Sequence, residues 1–297
     1  MGFRALVIED AVKLSYRGGS VCVKYSDGNK KMDFLDHSST ILISSPRTYI
    51  SSYLLSECAK RNIPVIFCNE KYLPVGHSIP LFPVHNCAEI VKGQIKWGTT
   101  IKKQLWQHIV VDKISKQSAV SAALGAESCA AKLKGFANEV KTADNSNREA
   151  VASRFYFKEV FEEGFTRRLE NDINPCLNFG YAVMLSKIAR EILSHGYSTI
   201  FGIFHDSKTN QWNLASDFIE PFRPLIDYMV LTSENKKLDK AMKVKLLGSF
   251  EKPIRYRNAN RKLSTVVEMM VADYLDVLER EQEISELDTY ELPCLED

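Results

Sequence analysis

This 297-residue sequence lacks several motifs and segments that identify common protein classes. No apolar run approaches the roughly 18 residues that cross a bilayer, and charged residues stand close to the N-terminus. We therefore expect neither a membrane span nor a signal peptide, and we expect a cytoplasmic location. The seven cysteines form no C-x-x-C pair, which argues against a structural zinc site or a disulfide framework. Motifs of phosphate-binding loops, dinucleotide-binding loops and α/β-hydrolase nucleophiles are also missing.

Charge is distributed unevenly along the chain, although the net charge is only +2. From residue 273 onward there are ten acidic residues and one basic residue, which leaves 38 Lys and Arg against 27 Asp and Glu in residues 1–272. This excess of basic residues favours the binding of a polyanion, and ordinary solubilising charge is the alternative. Residues 281–297 are rich in glutamate with little periodicity, so we expect a frayed acidic tail.

A change of hydrophobic periodicity predicts an α+β fold with a small β-rich N-terminal domain and a larger, mainly α-helical domain. Residues 1–75 contain short β-rich runs separated by turn signals, with one helix. Residues 76–85 are a loop-like linker, and residues 86–280 repeat apolar side chains at helical spacing. Within that region, 199–205 and 211–213 predict a small hairpin. The helices are predicted at 86–97, 98–116, 118–140, 147–170, 178–195, 214–232, 235–250 and 258–280.

Three residues that are far apart in the sequence have the chemistry of a metal site: Glu149, His205 and Glu220. Carboxylates are preferred ligands of Mg²⁺, and an imidazole shifts the preference toward Mn²⁺. Such an ion neutralises the oxygens of a phosphodiester while a nucleophile attacks. Asp217 precedes Glu220 by three residues and would project beside it on a helix, where a cation would relieve their repulsion.

Two further residues are candidates for supporting this site. Tyr156 shares a helix face with Glu149 and could donate a hydrogen bond or position a phosphate, and Arg223 follows Glu220 by three residues. Structural roles are the alternatives. Glu149 could complement a helix dipole, and His205 could be hydrogen-bonded within the fold. Asp217 could simply pair with Arg223.

Basic residues cluster near the end of the helical region. The cluster with an interleaved tyrosine consists of Lys252, Arg255, Arg257 and Arg261. Such residues can follow a DNA backbone without reading its bases, and a solvated helix face is the alternative. With the candidate metal ligands nearby in sequence, the cluster favours double-stranded DNA as a partner.

Several segments in combination carry a likeness to one protein family. They are Leu42-Ile43-Ser44-Ser45 with Ser51-Ser52-Tyr53-Leu54-Leu55, residues 62–68, Glu149 with Arg154 and Tyr156-Phe157, Asn174 with residues 177–182, Gly202-Ile203-Phe204-His205, and residues 217–224. From about residue 3 to about 275 the chain resembles the universal integrase family of CRISPR adaptation, and more narrowly its type II branch. Ala150 stands where the family often has glycine, so we expect a stiffer helix start without loss of the site.

The resemblance implies a metal-dependent DNA endonuclease and integrase. Glu149, His205 and Glu220 would bind Mg²⁺ or Mn²⁺. Asp217 would be an accessory acid near the ion, with Tyr156 and Arg223 in support. The β-rich domain would form a homodimer, and two such dimers would join a small ferredoxin-like partner dimer from the same locus. The assembly would insert captured DNA into a CRISPR repeat by attack of a 3′-hydroxyl on a phosphodiester.

Two other functions remain open from the sequence. A non-catalytic DNA-binding scaffold of the same assembly predicts tight DNA binding without strand transfer. A branched-DNA repair nuclease predicts a preference for branched substrates over repeat arrays.

Overall fold

Two four-stranded sheets form the N-terminal part of the chain in a computed structural model that describes residues 4–10, 12–61, 63–70, 74–78 and 86–292. The strands are β1 (Arg4–Ile8), β2 (Lys13–Arg17), β3 (Ser20–Lys24), β4 (Lys30–Phe34), β5 (Ser38–Ile43), β6 (Tyr49–Ile50), β7 (Val65–Cys68) and β8 (Pro74–His77). One sheet has the order β1-β5-β7-β8, in which β8 is antiparallel to β7 and the other pairs are parallel. The other sheet has the order β4-β3-β2-β6.

Local sequence accounts for a tight hairpin and for the helix that follows these strands. Gly18 and Gly19 have φ angles of 54° and 80°, the left-handed conformation that both residues of a two-residue hairpin loop require. Helix α1 (Ser52–Lys60) begins after Ser51, whose side chain accepts a hydrogen bond from the amide of Leu54 at 3.3 Å. Leu54 is fully buried with apolar residues of the strands, which form a core of their own.

A larger, mainly helical region follows, so the predicted α+β fold class is confirmed. Its elements are α2 (Cys87–Gln94), α3 (Thr99–Ala123), α4 (Glu127–Asn138), α5 (Arg148–Val160), α6 (Ile173–Ser194), α7 (Asn213–Phe218), α8 (Arg223–Leu231), α9 (Lys240–Gly248), β9 (Pro253–Tyr256), β10 (Ala259–Lys262) and α10 (Leu263–Glu279). Among the helices that the structure describes, none is long and apolar enough to cross a membrane.

Helix α3 is the central element of the helical region and packs against α4, α5, α8 and α10. Besides apolar residues it buries three charged side chains, those of Asp112, Lys113 and Lys116. Because a buried charge is costly unless it is paired, these residues require partners on the neighbouring elements.

The hairpin predicted at 199–205 and 211–213 is wrong. Residues 199–206 form bends and no strand, and Ile200, Phe201 and Phe204 are 53%, 41% and 52% exposed. Phe204 of this run lines a pocket, and the backbone amides of residues 203–205 bind a side chain described below. A hairpin does exist at β9 and β10, and its second strand, β10, occupies the start of the predicted helix 258–280.

Several helix boundaries in the structure differ from the predicted ones. The predicted break at residue 117 is absent because α3 continues to Ala123, and the helix predicted over 147–170 ends at Val160. The helix predicted over 214–232 is interrupted by a 3-10 turn at Glu220–Phe222. Two prolines, Pro221 and Pro224, lie at this interruption, where their missing amide hydrogens prevent a continuous helix.

The frayed acidic tail is wrong for the described residues up to 292. Tyr290 is only 2% exposed, and Asp288 and Glu291 pair with Arg257 at 3.1 Å and Arg255 at 3.2 Å. Composition predicted disorder because acidic residues dominate the segment, but a buried aromatic side chain and ion pairs dock it against the helical region.

The sheets contact the helical region directly. Glu9, just after β1, lies 3.2 Å from Lys240 and 3.8 Å from Lys243 of α9. The division of domains predicted at residue 75 falls inside β8, and residues 79–85 of the predicted linker lie outside the described residues.

Candidate active site

One open pocket collects side chains from separate stretches of the helical region. Glu149 comes from the first turn of α5, His205 from the loop before α7, and Glu220 from the 3-10 turn between α7 and α8. The remaining lining residues are Trp106, Lys113, Ser153, Phe157, Arg167, Tyr181, Phe204 and Arg223. The three residues predicted as metal ligands therefore line the same pocket.

The turn before α5 fixes the position of Glu149. Asp144 accepts hydrogen bonds from the amides of Arg148 (2.7 Å) and Glu149 (2.9 Å), two of the amides that a helix start leaves unpaired. Asn147 has a left-handed φ of 52°, a conformation that asparagine tolerates better than most residues. The Glu149 side chain is 27% exposed and accepts a hydrogen bond from Ser153 at 3.0 Å.

Glu220 is nearly buried and is held by two cations. Its Oε1 accepts a hydrogen bond from Nε of Arg223 at 2.8 Å, and its Oε2 accepts one from Nζ of Lys113 at 2.5 Å. Burial disfavours the charged carboxylate, but Arg223 and Lys113 outweigh burial and hold the pKa of Glu220 at about 2. Glu220 is therefore ionised at neutral pH.

Lys113 lies between the two glutamates of the pocket. Its ammonium donates to Glu149 as well as to Glu220, and its side chain is only 6% exposed. Burial opposes the charge of Lys113, but the two carboxylates outweigh burial and raise its pKa. One ammonium thus holds together two carboxylates from different helical segments.

Asp217 orients His205. The Asp217 carboxylate is fully buried and lies 2.7 Å from Nδ1 of His205. Because a carboxylate only accepts hydrogen bonds, Nδ1 carries the proton and donates the hydrogen bond. In the neutral ring, Nε2 is then an acceptor that can bind another group. This hydrogen bond raises the pKa of His205. The sequence predicted Asp217 to be an accessory acid near an ion, whereas the structure places it behind the imidazole, with no exposed surface.

Asp217 also shapes the loop that carries His205. Its oxygens accept hydrogen bonds from the amides of Ile203 (2.7 Å), Phe204 (3.2 Å) and His205 (3.0 Å). Glycine is required at 202, because a Cβ there would lie 2.3 Å from the carbonyl oxygen of His205 and 2.7 Å from Oδ2 of Asp217. These amides bind one side chain, so they cannot pair with a neighbouring strand.

Two guanidinium groups and a tyrosine form one wall of the pocket. Arg167 and Arg223 both lie over the ring of Tyr181, at 5.2 and 4.7 Å from its centroid. The Tyr181 hydroxyl donates to Asp227, and burial raises the pKa of this carboxyl group to about 6. Guanidinium groups suit phosphate oxygens in geometry and charge, so this wall can bind a phosphate.

The donor groups of the pocket suit a divalent cation, but their arrangement here is an ion-pair network. Two carboxylates and an oriented imidazole are ligands that Mg²⁺ and Mn²⁺ accept. Over residues 4–292, wherever the structure describes them, no three His, Cys, Asp or Glu side chains are grouped to hold an ion. Lys113 lies between the glutamates instead. The two carboxylates and the imidazole are therefore suitable ligands for a divalent ion, provided that the ion takes the place of the Lys113 ammonium.

Tyr156 lies in the core and has no surface in the pocket. It is fully buried, and burial raises its pKa well above the usual range. The sequence predicted that it could position a phosphate, but the next residue, Phe157, lines the pocket in its place. Tyr181, one of the residues behind the family resemblance, is the tyrosine that lines it.

The basic cluster predicted to contact DNA lies outside this pocket. Arg257 pairs with Asp273 at 2.7 Å and with Asp288 at 3.1 Å, and Arg255 pairs with Glu291. Lys252 is exposed, and Arg261 is partly buried. Two of the four side chains are therefore already neutralised within the chain.

Sequence reasoning missed Lys113 and the aromatic pair Trp106 and Phe204. The rings of this pair stack with centroids 4.2 Å apart and planes within 4°. The sequence does contain a signal for Lys113. It follows Trp106 and Ile109 at helical spacing and so falls on the apolar stripe of α3, where a charged residue needs a buried partner.

Comparisons with known proteins found several similar chains. A family model described as CRISPR associated protein Cas1 matches residues 5–245. A CRISPR-associated endonuclease Cas1 from Neisseria meningitidis serogroup C (strain 8013) is 38% identical over 231 residues, which cover 78% of this chain and 76% of that protein.

Two solved structures have a similar fold. A casposase bound to integration product has a TM-score of 0.76 at 17% identity, covering 95% of this chain and 92% of that chain. A chain of a Cas6-RT-Cas1–Cas2 complex has a TM-score of 0.70 at 17% identity, covering 94% of this chain and 35% of that chain. At these identities the likeness shows a shared fold alone.

Proposed function

This chain belongs to the Cas1 family, as the resemblance in its sequence predicted, and we propose that it is a divalent-metal-dependent DNA endonuclease and integrase. The observation that carries the proposal is the pocket, in which two glutamates and an oriented imidazole lie with two guanidinium groups. The Neisseria meningitidis relative is named a CRISPR-associated endonuclease, which supports this activity.

Glu149, Glu220 and Nε2 of His205 would hold Mg²⁺ or Mn²⁺. When bound, the ion would neutralise charge on the phosphate oxygens and activate the attacking oxygen as a nucleophile. Asp217 would keep Nδ1 of His205 protonated, so that Nε2 stays available. Lys113 would leave the position between the glutamates, because an ammonium and a divalent ion cannot share it.

Arg167 and Arg223 would bind the phosphodiester that reacts. Their guanidinium groups flank the pocket over Tyr181 and can donate several hydrogen bonds to phosphate oxygens. In strand transfer, the 3′-hydroxyl of the captured DNA loses its proton and bonds to phosphorus. The bond to the leaving 3′-oxygen of the target strand breaks, and that oxygen takes up a proton. With water as the nucleophile, the same exchange is hydrolysis.

The substrates and partners follow from the family. We propose that the protein inserts captured double-stranded DNA into a CRISPR repeat. We propose further that it acts as a homodimer joined through its β-rich domain and binds a small ferredoxin-like partner dimer. The structures titled as a casposase with its integration product and as a Cas1–Cas2 complex support such an assembly by their similar fold.

The experiment that tests the proposal is insertion of a labelled DNA fragment into a leader–repeat target with Mn²⁺. Glu220→Ala is expected to abolish insertion, because it removes a carboxylate from the pocket. Glu163→Ala makes the same charge change at an exposed position outside the pocket and should insert normally. Unchanged insertion by Glu220→Ala would remove the catalytic role, and DNA binding without strand transfer by the wild type would favour a scaffold.

A further inference from the structure

The segment after α10 docks directly behind the turn that carries Glu220. The Tyr290 hydroxyl donates a hydrogen bond to the carbonyl oxygen of Pro221 at 2.8 Å. The Tyr290 ring stacks on Phe222, with centroids 5.4 Å apart and planes within 12°. Pro221 and Phe222 are the two residues that follow Glu220, so both contacts fall on its own 3-10 turn.

The turn needs an external hydrogen-bond donor because of its prolines. In a 3-10 pattern the carbonyl of Pro221 would accept from the amide of residue 224, but Pro224 has no amide hydrogen. A buried carbonyl without a partner is unfavourable. The Tyr290 hydroxyl supplies the missing donor.

A second set of contacts ties the same segment to α3. Thr289 donates to Asp112, and the buried ammonium of Lys116 contacts both groups. This ammonium also lies 4.1 Å from the centroid of the Tyr290 ring. Lys113, one turn away on the same helix, reaches Glu220. The turn of Glu220 is therefore held between α3 on one side and Tyr290 on the other.

A third set of contacts joins the segment to the β9–β10 hairpin. The amide of Glu291 donates to the carbonyl of Arg255 at 2.9 Å, and Arg257 pairs with Asp288 at 3.1 Å. These contacts lie on either side of Tyr290 in the sequence, at Asp288 and Glu291. Together they hold the Tyr290 ring in place against the Glu220 turn.

We infer that residues 284–292 form a brace and that Tyr290 is a positioning residue for Glu220. The brace lies beyond residues 5–245, which the family model matches. That the brace immobilises the Glu220 turn is a structural statement and is independent of the reaction. That the brace thereby supports metal binding by Glu220 rests on the proposed function.

Tyr290→Phe tests this role, because it keeps the ring and removes only the hydroxyl. Tyr197→Phe is the control. The Tyr197 hydroxyl also donates a hydrogen bond, at 3.2 Å, but to Glu279 of α10 rather than to the brace or the Glu220 turn. Thermal melting establishes that both variants are folded.

Hydrogen–deuterium exchange is the readout that separates positioning from general stability. In Tyr290→Phe, amides of residues 219–223 should exchange roughly 3- to 10-fold faster than in the wild type, the range expected for one lost hydrogen bond. In Tyr197→Phe the exchange of these amides should be unchanged. Equal exchange of the turn in wild type and Tyr290→Phe, or equal acceleration in both variants, overturns the inference.

Mn²⁺ binding, measured by electron paramagnetic resonance of the free ion, tests the consequence for the site. Tyr290→Phe should weaken binding roughly 3- to 10-fold, corresponding to the same lost hydrogen bond, and Tyr290→Leu should weaken it further. Tyr197→Phe should bind Mn²⁺ as the wild type does. Unchanged Mn²⁺ affinity in both Tyr290 variants would refute the positioning role. A wild type that binds no Mn²⁺ and transfers no strand refutes the proposed function instead, and the exchange comparison then still decides on the brace.

Discussion

Replacement of Lys113 by methionine removes the ammonium between the two pocket glutamates and keeps the length of the side chain. In the wild type this ammonium contacts Glu149 and Glu220, and Arg223 contacts the other oxygen of Glu220. In Lys113→Met the two carboxylates would face each other with a single cation nearby. We expect the metal-free variant to be less stable and to depend on a divalent ion.

The magnitude follows from the burial of the three groups. Removing one partner of a buried ion pair costs about 3–5 kcal/mol, since the other charge stays buried without a partner. The lower limit applies here because Glu149 is 27% exposed and Arg223 still neutralises Glu220. With an unfolding entropy of about 2.1 cal/mol/K per residue, about 3 kcal/mol lowers the Tm of this 297-residue chain by roughly 5 °C.

Thermal melting in EDTA and in saturating MnCl₂ measures both effects. Lys116→Met is the matched control, because Lys116 lies one turn further along α3, has a 5% exposed side chain and pairs with one carboxylate, Asp112. Both variants should melt below the wild type in EDTA. Mn²⁺ should raise the Tm of Lys113→Met more than that of the wild type, in which the ion must displace the ammonium. Lys116→Met should gain no more than the wild type.

Two outcomes would refute this reasoning. One is an equal gain from Mn²⁺ in all three proteins, since the ion and the ammonium would then not compete for one position. The other is a Lys113→Met variant as stable in EDTA as the wild type, because the glutamates would then not depend on the buried cation.

Three further substitutions give expected outcomes. Asp217→Asn removes the acceptor that orients His205 and should weaken Mn²⁺ binding roughly 10- to 100-fold by calorimetry, with an unchanged circular dichroism spectrum. Burial raises the pKa of Asp227 from 3.8 to about 6, so the protonated carboxyl group is favoured in the folded state. The stability that this protonation contributes is fully present below about pH 4 and is lost as the pH rises through about 6. Asp227→Asn should therefore remove up to about 3 kcal/mol of pH dependence between pH 4 and 7 in denaturant titrations, and a wild-type profile would contradict this. Arg167→Gln should lower the slope of log affinity for duplex DNA against log salt by about one, and an unchanged slope would exclude a phosphate contact.

Two kinds of sequence information were used. Local patterns predicted the fold class, and the family resemblance predicted which residues share the pocket. The strands of the first sheets follow from short β-rich runs with turn residues such as Gly18 and Gly19, whose conformation is set locally. The residues Glu149, His205 and Glu220 are not joined by a local motif, so residue chemistry alone left their convergence open. The family resemblance supplied the expectation that they meet.

The features that sequence reasoning missed depend on contacts between distant segments. The run at 199–205 is apolar like a buried strand, but the amides of residues 203–205 bind Asp217, which no local pattern reveals. Acidic composition predicted a frayed tail, whereas Tyr290 alone finds a buried site against Phe222. In both cases one tertiary contact overrides the local preference, because it satisfies groups that would otherwise stay unpaired.

The charges of the pocket give a physical reason for metal and DNA to bind together. Glu149 and Glu220 are balanced by Lys113 and Arg223, so the ion-pair network carries no net charge. A divalent ion that takes the place of the ammonium between the glutamates leaves the pocket positive, and a phosphate group then restores the balance. Without the ion, an entering phosphate would meet two carboxylates. Since coupling between two ligands is reciprocal, each should raise the affinity of the other.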